Sequence, residues 1–169
     1  MSESKADFFF HLRTLGQTHS TLSWENVENG TVPANAVSGG YETDGRVVYV
    51  ARHDHVGNLI PGKVVEPYCF IPYDTQEHQY KMSYQVLTNT HQCILEWVQA
   101  SNGQVPPHAV LGGHLANSEP LYIGRVNHQG SLVPGNIQAS RHCLCIPYDY
   151  QAWEYKNYEV LCVKTGTGK

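Results

Sequence analysis

The sequence predicts an all-β protein in which two tandem repeats of short antiparallel strands pack with pseudo-twofold symmetry. Three observations predict it. The chain of 169 residues writes one module twice. Its fifteen glycines, nine prolines and eleven tyrosines, against two methionines, favour strands joined by tight turns. No stretch inside a module sustains the apolar period of a helix.

The duplication decides the architecture. Trp24 in "SWENVENGTVPANAVSGG" returns as Trp97 in "EWVQASNGQVPPHAVLGG", 73 positions later. The same offset carries Asn29-Gly30 onto Asn102-Gly103, Gly39-Gly40 onto Gly112-Gly113, "VYVAR" onto "LYIGR", and Pro61-Gly62 onto Pro134-Gly135. Two extra residues then shift "IPYD" to an offset of 75, and each copy closes on Tyr-x-Val-Leu, at Tyr84 and Tyr158. One copy alone is too small to cover both faces of a sheet, so the two are expected to share a core.

Taken in order, residues 1–23 precede the repeat and read as an N-terminal arm or an added strand. Their apolar run, Phe8 to Phe10, is too short for a signal-peptide core or a membrane span. The expected location is the cytoplasm, with unconventional secretion or vesicle association left open. Repeat 1 covers 24–87, a linker covers 88–96, repeat 2 covers 97–161, and 162–169 form a C-terminal tail. Within each repeat the Asn-Gly, Gly-Gly and Pro-Gly dipeptides, with Asp-Gly in the first, read as turns, because Gly and Asn tolerate positive φ. Runs such as "RVVYVAR" and "YCFIPY", rich in β-branched and aromatic residues, read as strands of about five or six residues. Trp24 and Trp97, kept in both copies, read as core anchors. Asp74 and Asp149 of the "IPYD" pair read as turn caps.

A formal charge of −4 and a pI near 6.2, with no clustering of Lys and Arg, exclude a phosphate-tracking surface or a polybasic membrane patch. Five cysteines without a secretion signal do not suggest a disulfide framework, so they are expected to be reduced. His53 and His55 share a strand face, and "RHCLC" adds His142, Cys143 and Cys145. Neither Cys-x-x-Cys spacing nor an oxygen-rich loop accompanies them, so no metal or cofactor is expected. No nucleophile elbow, phosphate loop or dinucleotide fingerprint is present, and no enzyme is expected.

The pattern Trp, Gly-x-Val-Pro, Ala-Val-x-Gly-Gly, Tyr-Val/Ile-x-Arg, Pro-Gly-Lys and Ile-Pro-Tyr resembles the DM-nine repeat of invertebrate proteins, from Trp24 to Leu161. The resemblance implies an all-β, metal-independent, mannose-type lectin of innate immunity, often a homodimer. It also implies a sugar site made by an acidic residue after Gly-Gly and the lysine of Pro-Gly-Lys. In this sequence those are Glu42, where the family usually has aspartate, with Asp44 nearby, and Lys63. Repeat 2 has Leu115 and Asn117 for the acids and Asn136 for the lysine. That leaves a degenerate second site at Asn117 and Asn136, which is either silent or takes another ligand.

The chemistry suits a hexose. A carboxylate accepts two hydrogen bonds from a diol while an ammonium donates to the same oxygens. Tyr41, Tyr49 and Tyr73 are candidates to cover the apolar sugar face. Lys63 reads equally well, on the residues alone, as a solvated turn lysine, and Asp44 as part of an Asp-Gly hairpin turn. A different class also stays open: an intracellular infection- or stress-responsive adaptor whose sugar site is vestigial.

Overall fold

A computed structural model describes residues 22–165. The expected N-terminal arm therefore lies outside the described residues except for Leu22 and Ser23, and so do residues 166–169 of the tail. Fourteen strands and one short 3-10 turn, Ala139–Arg141, make up the regular structure among the described residues. Repeat 1 supplies β1 (Ser23–Val27), β2 (Ser38–Tyr41), β3 (Val47–His55) and β4 (Asn58–Val65). It continues with β5 (Tyr68–Tyr73), β6 (Gln76–Tyr80) and β7 (Tyr84–Thr88). Repeat 2 supplies β8 (Leu95–Ser101), β9 (Leu111–His114), β10 (Pro120–His128) and β11 (Ser131–Gln138). Then follow β12 (Cys143–Tyr148), β13 (Gln151–Tyr155) and β14 (Asn157–Val163). The protein is all-β, as the sequence predicts.

Every pairing is antiparallel, and the two repeats are stitched into one barrel-like sheet. Strand β2 of repeat 1 pairs with β11 of repeat 2 through Tyr41 and Leu132. Its counterpart, β9, pairs with β4 through His114 and Leu59. The β6–β13 contact joins Gln76 to Gln151, a residue to its own copy, which places the pseudo-twofold axis there. With β3 also paired to β4 and β10 to β11, the strands β3, β4, β9, β10, β11 and β2 close a ring. Closure removes exposed sheet edges from the centre of the molecule.

The Gly-Gly and Pro-Gly dipeptides do not sit in turns, contrary to the sequence expectation. Gly39-Gly40 and Gly112-Gly113 lie within β2 and β9, and Pro61-Gly62 and Pro134-Gly135 lie within β4 and β11. What they provide is close approach. A Cβ on Gly40 would lie 1.9 Å from the Leu132 carbonyl oxygen of the other repeat, and one on Gly113 would lie 2.0 Å from that of Leu59. A Cβ on Gly62 or Gly135 would likewise meet the carbonyl of the next strand, at Phe70 or Cys145. The Asn-Gly and Asp-Gly glycines, Gly30, Gly45 and Gly103, do take the positive φ of a turn residue, as do Gly57 and Gly130 in the β3–β4 and β10–β11 hairpin turns. The central strands are correspondingly longer than expected, at nine residues for β3 and β10.

A second cross-repeat device explains the repeated Trp and Arg. Arg52 stacks over Trp24 at 4.0 Å and donates to the Gly112 carbonyl at 2.9 Å. Arg125 stacks over Trp97 at 4.1 Å and reaches the Gly39 carbonyl at 3.5 Å. Each guanidinium thus ties its own tryptophan to the glycine pair of the other repeat. Burial pushes the Arg52 pKa down to about 10. Three apolar clusters fill the interior, one mainly in each repeat and a third shared. The shared cluster holds Val37, Val50 and Leu87 against Val110, Ile123 and Leu161, with Trp24 and Trp97 packed on it. Trp24 and Trp97 are core anchors.

Because the glycine crossing has no room for a methyl group, Gly40→Ala or Gly113→Ala is expected to cost about 3 kcal/mol or more. Gly45→Ala, in open space but at φ +88, is expected to cost about 1 kcal/mol. Urea unfolding of the three variants checks this ordering.

Candidate functional site

Lys63 lies in the middle of β4, flanked in register by Val50 of β3 and Phe70 of β5. Its neighbours on both sides are paired strands, so the side chain leaves the wall in a fixed direction. It is only 4% exposed, unusual for a lysine. Its ammonium meets Glu42 Oε1 at 3.4 Å. Glu42 follows β2 and is held by a tight turn, its N–H donating to the Arg46 carbonyl at 2.9 Å and its own carbonyl accepting from Gly45 N–H. The other carboxylate oxygen accepts from Ser131 Oγ of repeat 2 at 3.4 Å. Glu42 therefore bridges the lysine of one repeat and the buried serine of the other.

The walls around this pair come from both repeats. The Lys63 ammonium lies 5.0 Å from the Tyr148 ring and 5.5 Å from the Phe70 ring. Glu77 of β6 and the Asp149–Tyr150 turn between β12 and β13 complete an open cavity of about 780 Å³. Tyr150 N–H donates to Glu77 Oε1 at 3.3 Å. Burial raises the Glu77 carboxyl above its ordinary value, and Lys63 partly opposes that rise. Both Asp149 and Tyr150 take positive φ, at 49 and 65, in the tight turn that brings them into the cavity lining.

Asp44 stands apart from Lys63 and Glu42. It accepts from Arg46 N–H at 3.0 Å and pairs with the Arg46 guanidinium at 2.8 Å, well exposed, and it does not line the cavity. Arg46 holds its carboxyl below the usual range. Of the tyrosines proposed to face a sugar, Tyr41 is exposed at the end of β2, Tyr49 packs on the repeat 1 core, and Tyr73 lines the second cavity. Sequence reasoning missed Glu77, Phe70, Tyr148, Asp149 and Tyr150. The "IPYD" repeat was the available signal: each copy's Tyr-Asp lines the cavity of the opposite repeat's lysine position.

The second cavity, about 440 Å³, sits at the pseudo-equivalent place. Asn136 stands where Lys63 does, 3% exposed, and its amide donates to the Pro61 carbonyl across the repeat boundary at 3.0 Å. Asn117 repeats the turn role of Asp44, accepting from Glu119 N–H at 3.0 Å. Leu115 replaces Glu42, Ala152 replaces Glu77, and Cys145 replaces Phe70. The charged pair is absent, while Tyr73 and Asp74 are retained.

Comparison with known proteins places the chain. A family model described as DM9 repeat matches residues 5–80 and 43–155, two overlapping regions that together cover most of the sequence. The chain belongs to the DM9 repeat family. Over 145 residues, 85% of its length, the DM9 chain is 32% identical to Natterin-4 of Thalassophryne nattereri. It spans 34% of that relative, about a third of its length. The crystal structure of the nematode sperm cell motility protein MFP2B superposes with a TM-score of 0.65 at 13% identity, over 89% of this chain and 49% of that one. That likeness is one of fold. Among the described residues of the DM9 chain, no helix is long and apolar enough to cross a membrane.

Behind the cavity, His128 is 3% exposed and its Nε2 has no hydrogen-bond partner among the described residues. Its Nδ1 meets the Tyr155 hydroxyl, and the Tyr148 and Trp153 rings pack on it. Burial, then the nearby Lys63 charge, lowers its pKa below the ordinary histidine value. Between the folded and unfolded values the unfolded chain binds more protons, so stability is full above about pH 6.5 and falls as pH drops. The urea midpoint is expected to decline on acidification from about pH 7 to pH 5, and His128→Gln to flatten that decline.

Proposed function

We propose that this DM9 protein is a carbohydrate-binding protein, a mannose-type lectin acting in innate immune recognition, with its site in the cavity around Lys63 and Glu42. One observation carries the reading: a nearly buried ammonium and a carboxylate converge at 3.4 Å at the floor of an open, aromatic-walled cavity. A tight ammonium–carboxylate bond is about 2.8 Å long, so at 3.4 Å the pair is loose, and Lys63, with three N–H donors, keeps donors for a hydroxyl oxygen seated beside the pair. Glu42 then accepts from the neighbouring hydroxyl of the same diol. Phe70 and Tyr148 offer apolar faces to the ring carbons. Asp44 has no contact role here and serves the turn that orients Glu42.

A single monosaccharide held this way binds at about millimolar affinity, roughly −4 kcal/mol. Useful avidity then requires several sites on one particle, and a homodimer supplies them through effective concentration. Binding is the whole activity in this reading, with no catalytic step. The adaptor reading keeps one observation in its favour, the loss of the charged pair from the second cavity.

Calorimetric titration with mannose and branched mannan tests the proposal. Saturable heat that survives chelator and disappears in Lys63→Ala, with Asp44→Ala retaining it, is the expected result. Absence of heat with both ligands would overturn the lectin reading in favour of the adaptor.

A further inference from the structure

The hairpin of β12 and β13 carries a cluster that sugar recognition does not use. Cys143 and Cys145 alternate on one face of β12, and their sulfurs lie 3.8 Å apart. Glu154 sits directly opposite Cys145 in the strand register. One ligand atom from each of the three residues lies within 4.8 Å of the others. Arg141, on the 3-10 turn leading into β12, pairs with the Glu154 carboxylate. Cys145 and Arg141 also line the second cavity.

We propose that this cluster is a binding site for a thiophilic divalent cation of the zinc class, held by Cys143 Sγ, Cys145 Sγ and a Glu154 oxygen, with the fourth position open to the second cavity. The sulfur spacing is the strongest argument. Two thiolates each about 2.3 Å from a tetrahedral ion lie about 3.8 Å apart, so the pair needs little movement to close on the metal. The ligand types fit too, since soft thiolates with one carboxylate select zinc over calcium or magnesium.

The charge also balances. Binding releases a proton from each thiol, and two thiolates plus a carboxylate on a divalent ion leave one net negative charge. Arg141 offsets it while orienting the carboxylate from outside, as outer partners of metal ligands do.

Repeat 1 provides an internal control. At the equivalent positions stand Tyr68, Phe70 and Gln79, none of them a ligand in such a site, although the hairpin of β5 and β6 has the same register. The other buried cysteines, such as Cys69, have no second sulfur within reach among the described residues, and burial pushes the Cys69 thiol up. The two cavities thus differ in chemistry, one holding an ammonium and its carboxylate and the other lined by the Cys145 thiol, with Cys143 beside it.

Titration of the reduced, chelator-treated full chain with cobalt(II) tests this directly. The expected result is a sulfur-to-cobalt charge-transfer band that saturates at about one ion per chain and is displaced by zinc. Cys143→Ser and Cys145→Ser should each weaken it by about half, and the double variant should abolish it. Glu154→Gln, a surface change that leaves the core intact, should weaken binding about tenfold or more, while Cys69→Ser should leave it unchanged. No charge-transfer band in the reduced wild type overturns the proposal, as does a band that survives the double variant or is lost in Cys69→Ser.

Discussion

The structure depends on one steric constraint: the backbone of each repeat passes so close to the other that no side-chain carbon fits between them. Gly40 lies against the Leu132 carbonyl and Gly113 against that of Leu59. Hydrogen-bonded pairing at Tyr41–Leu132 and His114–Leu59 becomes available only because of this contact. Those pairings close the ring of strands, bring the third apolar cluster together, and aim Arg52 and Arg125 at the glycine carbonyls. Backbone hydrogen bonds left unmade in this interior would each cost about 1–3 kcal/mol, so the crossing is strongly cooperative.

Both cavities follow from the same crossing. Neither belongs to one repeat. Glu42 and Lys63 come from the first copy, but Ser131 steadies Glu42, and Tyr148 and Asp149 wall the cavity from the second. The acidic surroundings of Lys63, with Glu42 and Glu77 close by, keep an almost buried ammonium tolerable in a setting where desolvation alone would disfavour it. In the second cavity Asn136 needs no such support, because a neutral amide is satisfied by the Pro61 carbonyl.

Much of this was legible in the sequence, for reasons that are local. Alternating β-branched and aromatic runs gave β3, β5, β10 and β12. The repeat offset foretold the pseudo-twofold, whereas Glu42 and Lys63 are singled out by the family resemblance that Gly-Gly and Pro-Gly-Lys carry, not by their local pattern. The misreadings share one cause. A glycine needed because another strand passes at contact distance looks, in sequence, the same as a glycine needed for positive φ. Gly39-Gly40 and Pro61-Gly62 therefore look like turns in the sequence although they lie inside β2 and β4. Glu77, Tyr148 and Asp149 were missed because their place depends on pairing between β6 and β13, 75 residues apart at Gln76 and Gln151, which no local pattern encodes. Asp44 was grouped with Glu42 by proximity, yet a turn of two residues suffices to face it the other way, onto Arg46.

The meeting of Gln76 with its own copy on the pseudo-twofold axis has an evolutionary consequence. Had two separate, identical modules assembled around that axis, every substitution would appear in both cavities at once, and neither could change without the other. Joining the modules in one chain releases that coupling. An inherited lysine can be exchanged for asparagine in one cavity while its twin is preserved. A single duplication thereby converts a symmetric assembly into a molecule with two independently mutable sites.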